Sequence, residues 1–147
     1  MMIALALDVG TKTIGVAVSD GLGMMAHPVT TLSRRSVVKD AEALEDLVKK
    51  HRATQLVVGL PLELDGSEQR SAKLARQVGE ALAERSRLPV AYVDERFTSV
   101  DAERQLIAAG MSRAKRKLVI DQQAAVLILK SWLDARRAGT NAFDPEG

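Results

Sequence analysis

The first twenty residues alternate between apolar and small or polar positions in two runs, 4–9 and 14–19, joined by a Gly-Thr-Lys-Thr connection. This pattern predicts a β-hairpin within a sheet that is covered on both sides. By parity, the bulky side chains share one face and the small ones share the other. The bulky set is Ile3, Leu5, Leu7, Val9, Ile14, Val16 and Val18, and the small set is Ala4, Ala6, Asp8, Gly15, Ala17 and Ser19. A helix can approach the nearly bare face closely, and Asp8 lies at its end.

Beyond the hairpin, the pattern predicts strands that alternate with helices. An edge strand is expected at 27–32, because Pro28 cannot donate a backbone hydrogen bond. Further strands are expected at 56–58 and 90–93, and helices at 37–51, at 99–109 and at 118–137. Another helix is expected to begin at Asp65 and Glu68, which have capping-box spacing, and to end near Ser86. The order predicts an α/β fold with a mixed five-stranded sheet, its first three strands antiparallel, and helices on both faces.

Composition narrows the class of protein. With 147 residues, 46% of them hydrophobic, the chain can form its own core. We expect one domain at 1–138 and a flexible tail at 139–147. The absence of cysteine excludes thiol catalysis and zinc-thiolate sites and fits a reducing compartment. No apolar run reaches membrane-spanning length and the pattern of strands begins at once, so we expect a cytoplasmic protein with no membrane partner.

The formal net charge is only +2, so affinity for nucleic acid must come from local clusters of cations. One such cluster, in a predicted connector before the last helix, comprises Arg113, Lys115, Arg116 and Lys117. A solvated basic loop is the simpler interpretation of that cluster. Aromatic residues make up 3% of the chain, which argues against base stacking and favours recognition of backbone and shape.

Three carboxylates lie at the ends of predicted elements: Asp8 closes the first strand, Glu95 follows the last strand and Asp121 opens the last helix. Asp121 shares helical spacing with Ala124 and Ala125, so this face could pack on the bare sheet face and approach Asp8. A few carboxylate oxygens with open positions suit Mg²⁺. Each acid also has a structural interpretation, namely a turn carboxylate, a surface salt bridge and a helix-dipole acid, respectively.

Four motifs extend over nearly the whole chain. They are Leu-Asp8-Val-Gly10-Thr-Lys-Thr-Ile-Gly15-Val-Ala, then Val-Val-Gly59-Leu-Pro61-Leu with Asp65-Gly66, then Val-Asp94-Glu95-Arg96-Phe-Thr98, and Asp121-Gln-Gln-Ala124-Ala125-Val-Leu-Ile-Leu. The first is shared with sugar kinases and actin-like ATPases, but the ordered set is specific. With these four motifs in this order, the chain resembles the YqgF/RuvX family. Members of that family are described as Holliday-junction resolvases and as nucleases of ribosomal RNA maturation, with a ribonuclease H-like fold.

The resemblance implies a metal-dependent nuclease in which Asp8, Glu95 and Asp121 are the catalytic acids and the ligands of Mg²⁺ or Mn²⁺. Two ions about 3.5–4 Å apart would activate water and stabilise the leaving oxygen. Asp94 is an alternative to Glu95 that parity does not eliminate. Resolvase relatives often carry a fourth acid where this chain has Ala124 or Ala125, so a second ion is expected to bind weakly.

The same resemblance suggests residues that contact the substrate. Thr11, Lys12 and Arg96 are candidates to hold the scissile phosphate, and the cluster Arg113, Lys115, Arg116 and Lys117 could hold the backbone beside the metal. Surface turn residues are the simpler interpretation of the first three.

Four functions compete at this point. A nuclease for the 5′ end of precursor 16S ribosomal RNA comes first, and a Holliday-junction resolvase would use the same acids. A non-catalytic nucleic-acid-binding module is third. An actin-like ATPase or sugar kinase needs two such domains, and 147 residues supply one. Structured RNA is the expected partner, branched DNA the alternative, and a monomer or weak homodimer the expected assembly.

Overall fold

The structure is a computed structural model that describes residues 2–63, 65–95 and 113–139, with side chains omitted for 113–121. Its strands are β1 (Ala4–Val9), β2 (Thr13–Ser19), β3 (Ala26–Ser33), β4 (Gln55–Leu60) and β5 (Val90–Asp94). They form one five-stranded sheet in the order β3-β2-β1-β4-β5. The first three strands pair antiparallel, and β4 and β5 extend the sheet in parallel from β1. The predicted mixed sheet and edge position of the third strand are confirmed.

The described helices are α1 (Val37–His51), α2 (Arg70–Ser86) and α3 (Arg113–Arg137). Helices α1 and α2 cover the bulky sheet face, where Leu5, Leu7 and Ile14 are completely buried. Helix α3 covers the other face, where Ala4, Ala6 and Ala17 are completely buried. The division of side chains between the two faces of the hairpin is therefore as parity predicts.

The start of α2 differs from the prediction. Asp65 accepts a hydrogen bond from the backbone N–H of Ser67 at 2.8 Å, which closes a turn, and Glu68 pairs with Arg76 at 2.8 Å. The helix begins at Arg70, and its N-cap Gln69 makes no side-chain cap. The predicted capping box is wrong, because both acids have other partners.

The start of α3 also differs. The helix begins at Arg113, five residues before the predicted start at Leu118, so the basic cluster belongs to its first turns and is not a connector. Asp121 is consequently in the third turn, and the first turn holds no acid. The helix-dipole interpretation of Asp121 is wrong, since that effect is confined to the terminal turn.

Two predicted elements lie outside the described residues, namely the helix at 99–109 and the tail that begins at 139, of which only Gly139 is described. Within the parts of the chain that the structure covers, none of the helices has the length and hydropathy needed to cross a membrane.

Candidate active site

The carboxyl ends of β1, β4 and β5 meet at one edge of the sheet. Leu7 of β1 is level with Val58 of β4, and the next step of this register sets Asp8 beside Gly59. Gly59 is in turn level with Val93 of β5. Asp8 follows Ala4 and Ala6 in parity, so its half-buried side chain belongs to the face that α3 covers.

Glu95 and Asp94, which parity alone left as alternatives, lie on opposite faces. Asp94 pairs with Leu60 in the strand register and is only 3% exposed, on the side of α1 and α2. The carboxyl carbon of Glu95 lies 3.4 Å from the position that a Cβ atom on Gly59 would take. The Glu95 carboxylate therefore lies over Gly59, in the row next to Asp8.

Gly59 has a packing role at this point. A Cβ atom there would approach Cδ1 of Ile128 to 2.5 Å and Cγ1 to 3.1 Å, distances that real Cβ atoms avoid. The missing side chain thus lets α3 and the Glu95 carboxylate approach the sheet together. This explains in physical terms why a glycine interrupts the apolar side chains of β4 at this position.

Helix α3 crosses the bare face as the sequence predicts. Ala124 and Ala125 are completely buried against the small residues of β1 and β2. Near the C-terminal end of α3, Leu133 and Arg137 line a pocket with Met2, which precedes β1. The helix therefore runs antiparallel to β1, with its earlier turns toward the edge that holds Asp8.

Asp121 lies seven residues before Ile128 in α3, about 10 Å along the axis toward that edge. Its side chain is outside the described set, so the meeting of Asp121 with Asp8 stays a prediction. The side chains of Arg113, Lys115, Arg116 and Lys117, and the whole of Arg96 and Phe97, lie outside it too.

A buried ion pair supports the loop after Asp8. Nε of Arg34 lies 2.6 Å from Oδ2 of Asp40, and the two side chains are 10% and 3% exposed. The Arg34 guanidinium also donates to the carbonyl of Gly10 at 2.9 Å, and its backbone N–H donates to the carbonyl of Lys12 at 2.8 Å. The pair ties α1 to the hairpin loop, so it fixes the segment that follows Asp8.

This ion pair was not predicted from the sequence. The sequence places Asp40 within the predicted helix at 37–51 and marks neither Asp40 nor Arg34 as a buried charge. The available signal was an acid in the first turn of a helix with an arginine just before it, a pattern that is common on protein surfaces.

The predicted phosphate ligands of the hairpin loop are accessible. Thr11 and Lys12 are both exposed, and the loop is closed by a 2.8 Å hydrogen bond from the Gly10 N–H to the Thr13 carbonyl. Their side chains could contact a substrate that approaches the edge of the sheet.

The donor set at this edge suits a hard divalent cation. Asp8 lies at the carboxyl end of β1 and Glu95 follows β5, and the Glu95 carboxylate lies over Gly59 of the intervening β4. Carboxylate oxygens of this kind are the ligands that Mg²⁺ and Mn²⁺ prefer. Both acids are half-buried, so each residue keeps some contact with solvent. The described residues thus fit such an ion, with Asp121 as the predicted third ligand.

Comparisons with known proteins agree with this geometry. The family model of RuvX, described as Holliday junction resolvase, matches residues 2–135. A Myxococcus xanthus protein named "Putative pre-16S rRNA nuclease" is 46% identical over 99% of this chain and 96% of its own length. A protein of the same name from Caldanaerobacter subterraneus is 47% identical over 92% of this chain and 99% of its own length.

Among solved structures, the fold is similar to that of Thermus thermophilus RuvC in complex with a Holliday junction substrate. The TM-score is 0.58 at 18% identity, with 95% of this chain and 98% of the other covered. At that identity the likeness concerns the fold, which is ribonuclease H-like as the sequence motifs indicated.

Proposed function

The chain belongs to the RuvX Holliday junction resolvase family of nucleases, and we propose that it hydrolyses phosphodiester bonds of precursor 16S ribosomal RNA with a divalent metal ion. The observation that carries this proposal is the approach of the Glu95 carboxylate to Gly59, beside Asp8 and beneath α3. Two acids from separate strands at one open edge are an arrangement that phosphoryl hydrolysis can use.

In this proposal Asp8, Glu95 and Asp121 hold Mg²⁺ or Mn²⁺. When bound, the ion would supply a Lewis acid for the phosphate and a more acidic water as nucleophile. Asp8 is held by the central strand of the sheet and by the Arg34–Asp40 pair behind its loop, so its position is fixed before substrate arrives. Thr11, Lys12 and Arg96 would orient the scissile phosphate.

Ribosomal RNA is the first choice of substrate because relatives that are 46–47% identical over nearly the full chain carry the name of a pre-16S rRNA nuclease. The low aromatic content favours contacts with backbone and shape, which suits structured RNA. The substrate would be met in the cytoplasm, and the cysteine-free sequence fits that compartment.

Resolution of Holliday junctions is the second candidate, favoured by the description of the family model. Symmetric cutting of a junction requires two sites, and a pair of copies related by a twofold axis would supply them. A monomer would suffice for cutting RNA.

The test is cleavage of a labelled precursor 16S fragment and of a labelled four-way DNA junction, with Mg²⁺, Mn²⁺ or EDTA. Asp8→Asn, Glu95→Gln and Asp121→Asn are each expected to abolish cleavage without lowering the melting temperature by more than a few degrees. Asp46→Asn, an exposed acid on α1, is the matched control and is expected to keep full activity.

Metal-dependent cutting of the RNA alone would support the processing nuclease, and paired symmetric nicks in the junction alone would support the resolvase. If both substrates bind but neither is cut under any metal condition, the protein is a nucleic-acid-binding module and the proposed hydrolysis is wrong. A triad variant that stays fully active would remove that residue from the site.

A further inference from the structure

A cleft of about 700 Å³ opens beside the hairpin loop, on the side of the sheet that carries α1 and α2. It is lined by the loop residue Thr11, by Arg34 and Arg35 of the segment before α1, and by Arg70 and Lys73 of α2. Arg70 and Lys73 are one turn apart, so they present their charges along one side of the helix. Among the described residues that line this cleft, none is acidic.

The charge of the cleft is largely uncompensated. Arg34 is neutralised by Asp40, but within the described part of the chain no carboxylate lies within 4.0 Å of the side-chain nitrogens of Arg35, Arg70 or Lys73. Glu68, the acid nearest in sequence to the start of α2, is taken up by Arg76, whose Nε lies 2.8 Å from both carboxylate oxygens. Three exposed cations therefore face one open groove.

The cleft adjoins the edge that holds Asp8 and Glu95. The hairpin loop follows the carboxyl end of β1, and α2 is the next helix after the carboxyl end of β4. Thr11 is three residues from Asp8, so their Cα atoms are at most about 11 Å apart. A nucleic-acid strand advances about 3.4 Å per nucleotide, so the Thr11 edge of the cleft lies within about three nucleotides of Asp8.

We propose that this cleft binds the phosphate backbone of the substrate strand on one side of the bond that is cut, beginning within about three nucleotides of that bond. The inference rests on the proposed nuclease function. Arginine and lysine side chains pair with phosphate oxygens, and the described lining residues include no aromatic ring on which a base could stack. The contact therefore holds the strand in position without reading its sequence. RNA and DNA backbones share this chemistry.

The test is the affinity for labelled single-stranded and duplex RNA and DNA across a salt series, measured in an Asp8→Asn background to prevent cleavage. The cleft variant is Arg70→Gln with Lys73→Gln. The matched control is Lys49→Gln with Lys50→Gln, which removes two exposed charges from the last turn of α1, before the opposite end of β4.

The cleft variant is expected to reduce the slope of log Kd against log salt by about 1.4 for single strands and about 1.8 for duplexes, because each lost contact removes about 0.7 or 0.9. The control variant is expected to leave the slope unchanged. Equal loss by RNA and DNA would identify the backbone as the ligand. An unchanged slope in the cleft variant, or an equal loss in the control, would overturn the proposal.

A second measurement locates the contact. A neutral methylphosphonate is placed at successive phosphates to either side of the cleavage position, in separate DNA strands. On one side it is expected to weaken binding by the wild-type cleft but not by the cleft variant, since the same contact cannot be lost twice. Additive effects on both sides would contradict the proposed position.

Failure of the cleft and failure of the nuclease give different results. If the protein binds nucleic acid through the cleft but cuts no substrate, the proposed role of the cleft stands and the proposed hydrolysis is wrong. If the protein cuts RNA with a metal and needs Asp8, but binds equally well without the charges of Arg70 and Lys73, the proposed nuclease function stands and the proposed role of the cleft is wrong.

Discussion

The two faces of the sheet are made from the same strands but are packed in opposite ways. On the face toward α1 and α2, β1 contributes Leu5 and Leu7, and complete burial of each such side chain contributes about 1.5–3 kcal/mol. On the face toward α3, the same strand contributes Ala4 and Ala6, which bury far less area. The face toward α3 therefore buries less hydrophobic area, but its small side chains allow α3 to pack closely against the sheet.

The difference shows how one small sheet serves both stability and chemistry. The bulky face holds the strands together, so the bare face can be shaped by the approach of α3 and by the carboxylates at its end. Mutations on the two faces should therefore fail in different ways, one mainly by unfolding and the other mainly by loss of activity.

The largest effect on activity is expected at Glu95, compared with its neighbour Asp94 on the opposite face of the sheet. Glu95→Gln should reduce cleavage at least 100-fold, because even partners of metal ligands are worth about 10–100-fold. Asp94→Asn should reduce it far less, since Asp94 belongs to the opposite face. The measurement is the cleavage rate of each variant at saturating metal. If Glu95→Gln and Asp94→Asn lose activity equally while remaining equally stable, the assignment of the two acids to different faces does not explain their roles.

The next largest effect is expected from substitutions of Leu7 and Ala6, neighbouring residues of β1 whose side chains lie on opposite faces of the sheet. Leu7→Ala should destabilise the protein by about 2–5 kcal/mol through loss of a buried side chain. Ala6→Leu should cost about 1–3 kcal/mol by overpacking and should displace α3. Urea unfolding gives both values. Activity below the unfolding transition should fall more for Ala6→Leu, and the reverse order of activities would contradict the assignment of the site to the bare face.

A smaller and more local effect is expected at Gly59. Gly59→Ala should cost about 1–3 kcal/mol and lower activity, because the new methyl group would meet Cδ1 of Ile128 and crowd the Glu95 carboxylate. Adding Ile128→Val removes the closest atom and should recover part of the stability, although that change alone costs about 0.5–1.5 kcal/mol. A double variant whose stability is the sum of the two losses would show that the contact is not the cause.

The smallest effect concerns the tip of the β2–β3 hairpin, at the far end of the bare face. The backbone N–H of Met24 donates to Oδ1 of Asp20 at 2.8 Å, which lowers the pKa of Asp20. The carboxylate therefore stabilises the tip above its unfolded-state pKa, and this contribution is lost as the pH falls through the lowered pKa. An NMR titration should show the Met24 amide shifting with Asp20, and Asp20→Ala should remove that shift. Cleavage should not change.

The alternation of small and large residues was sufficient to predict the faces of the hairpin, and helical spacing was sufficient to predict the packing of Ala124 and Ala125 on the bare face. It could not decide between Asp94 and Glu95, because that choice depends on where β5 ends relative to β4. The predicted capping box is wrong because Asp65 accepts a hydrogen bond from Ser67 and Glu68 pairs with Arg76. The Arg34–Asp40 pair was missed because nothing local marks two charges that become buried only when α1 meets the hairpin loop.

Tyr92 has a consequence for how the site is assembled. Its ring is 4% exposed on the bulky face, with the Arg76 guanidinium 4.7 Å from the ring centre. A slip of β5 by one residue would bring Asp94 to the place of Glu95, but it would also move this ring to the place of Val93, which is completely buried beneath α3. Burial of Tyr92 thus favours the observed alignment of β5, and with it the presentation of Glu95 rather than Asp94 on the face toward α3.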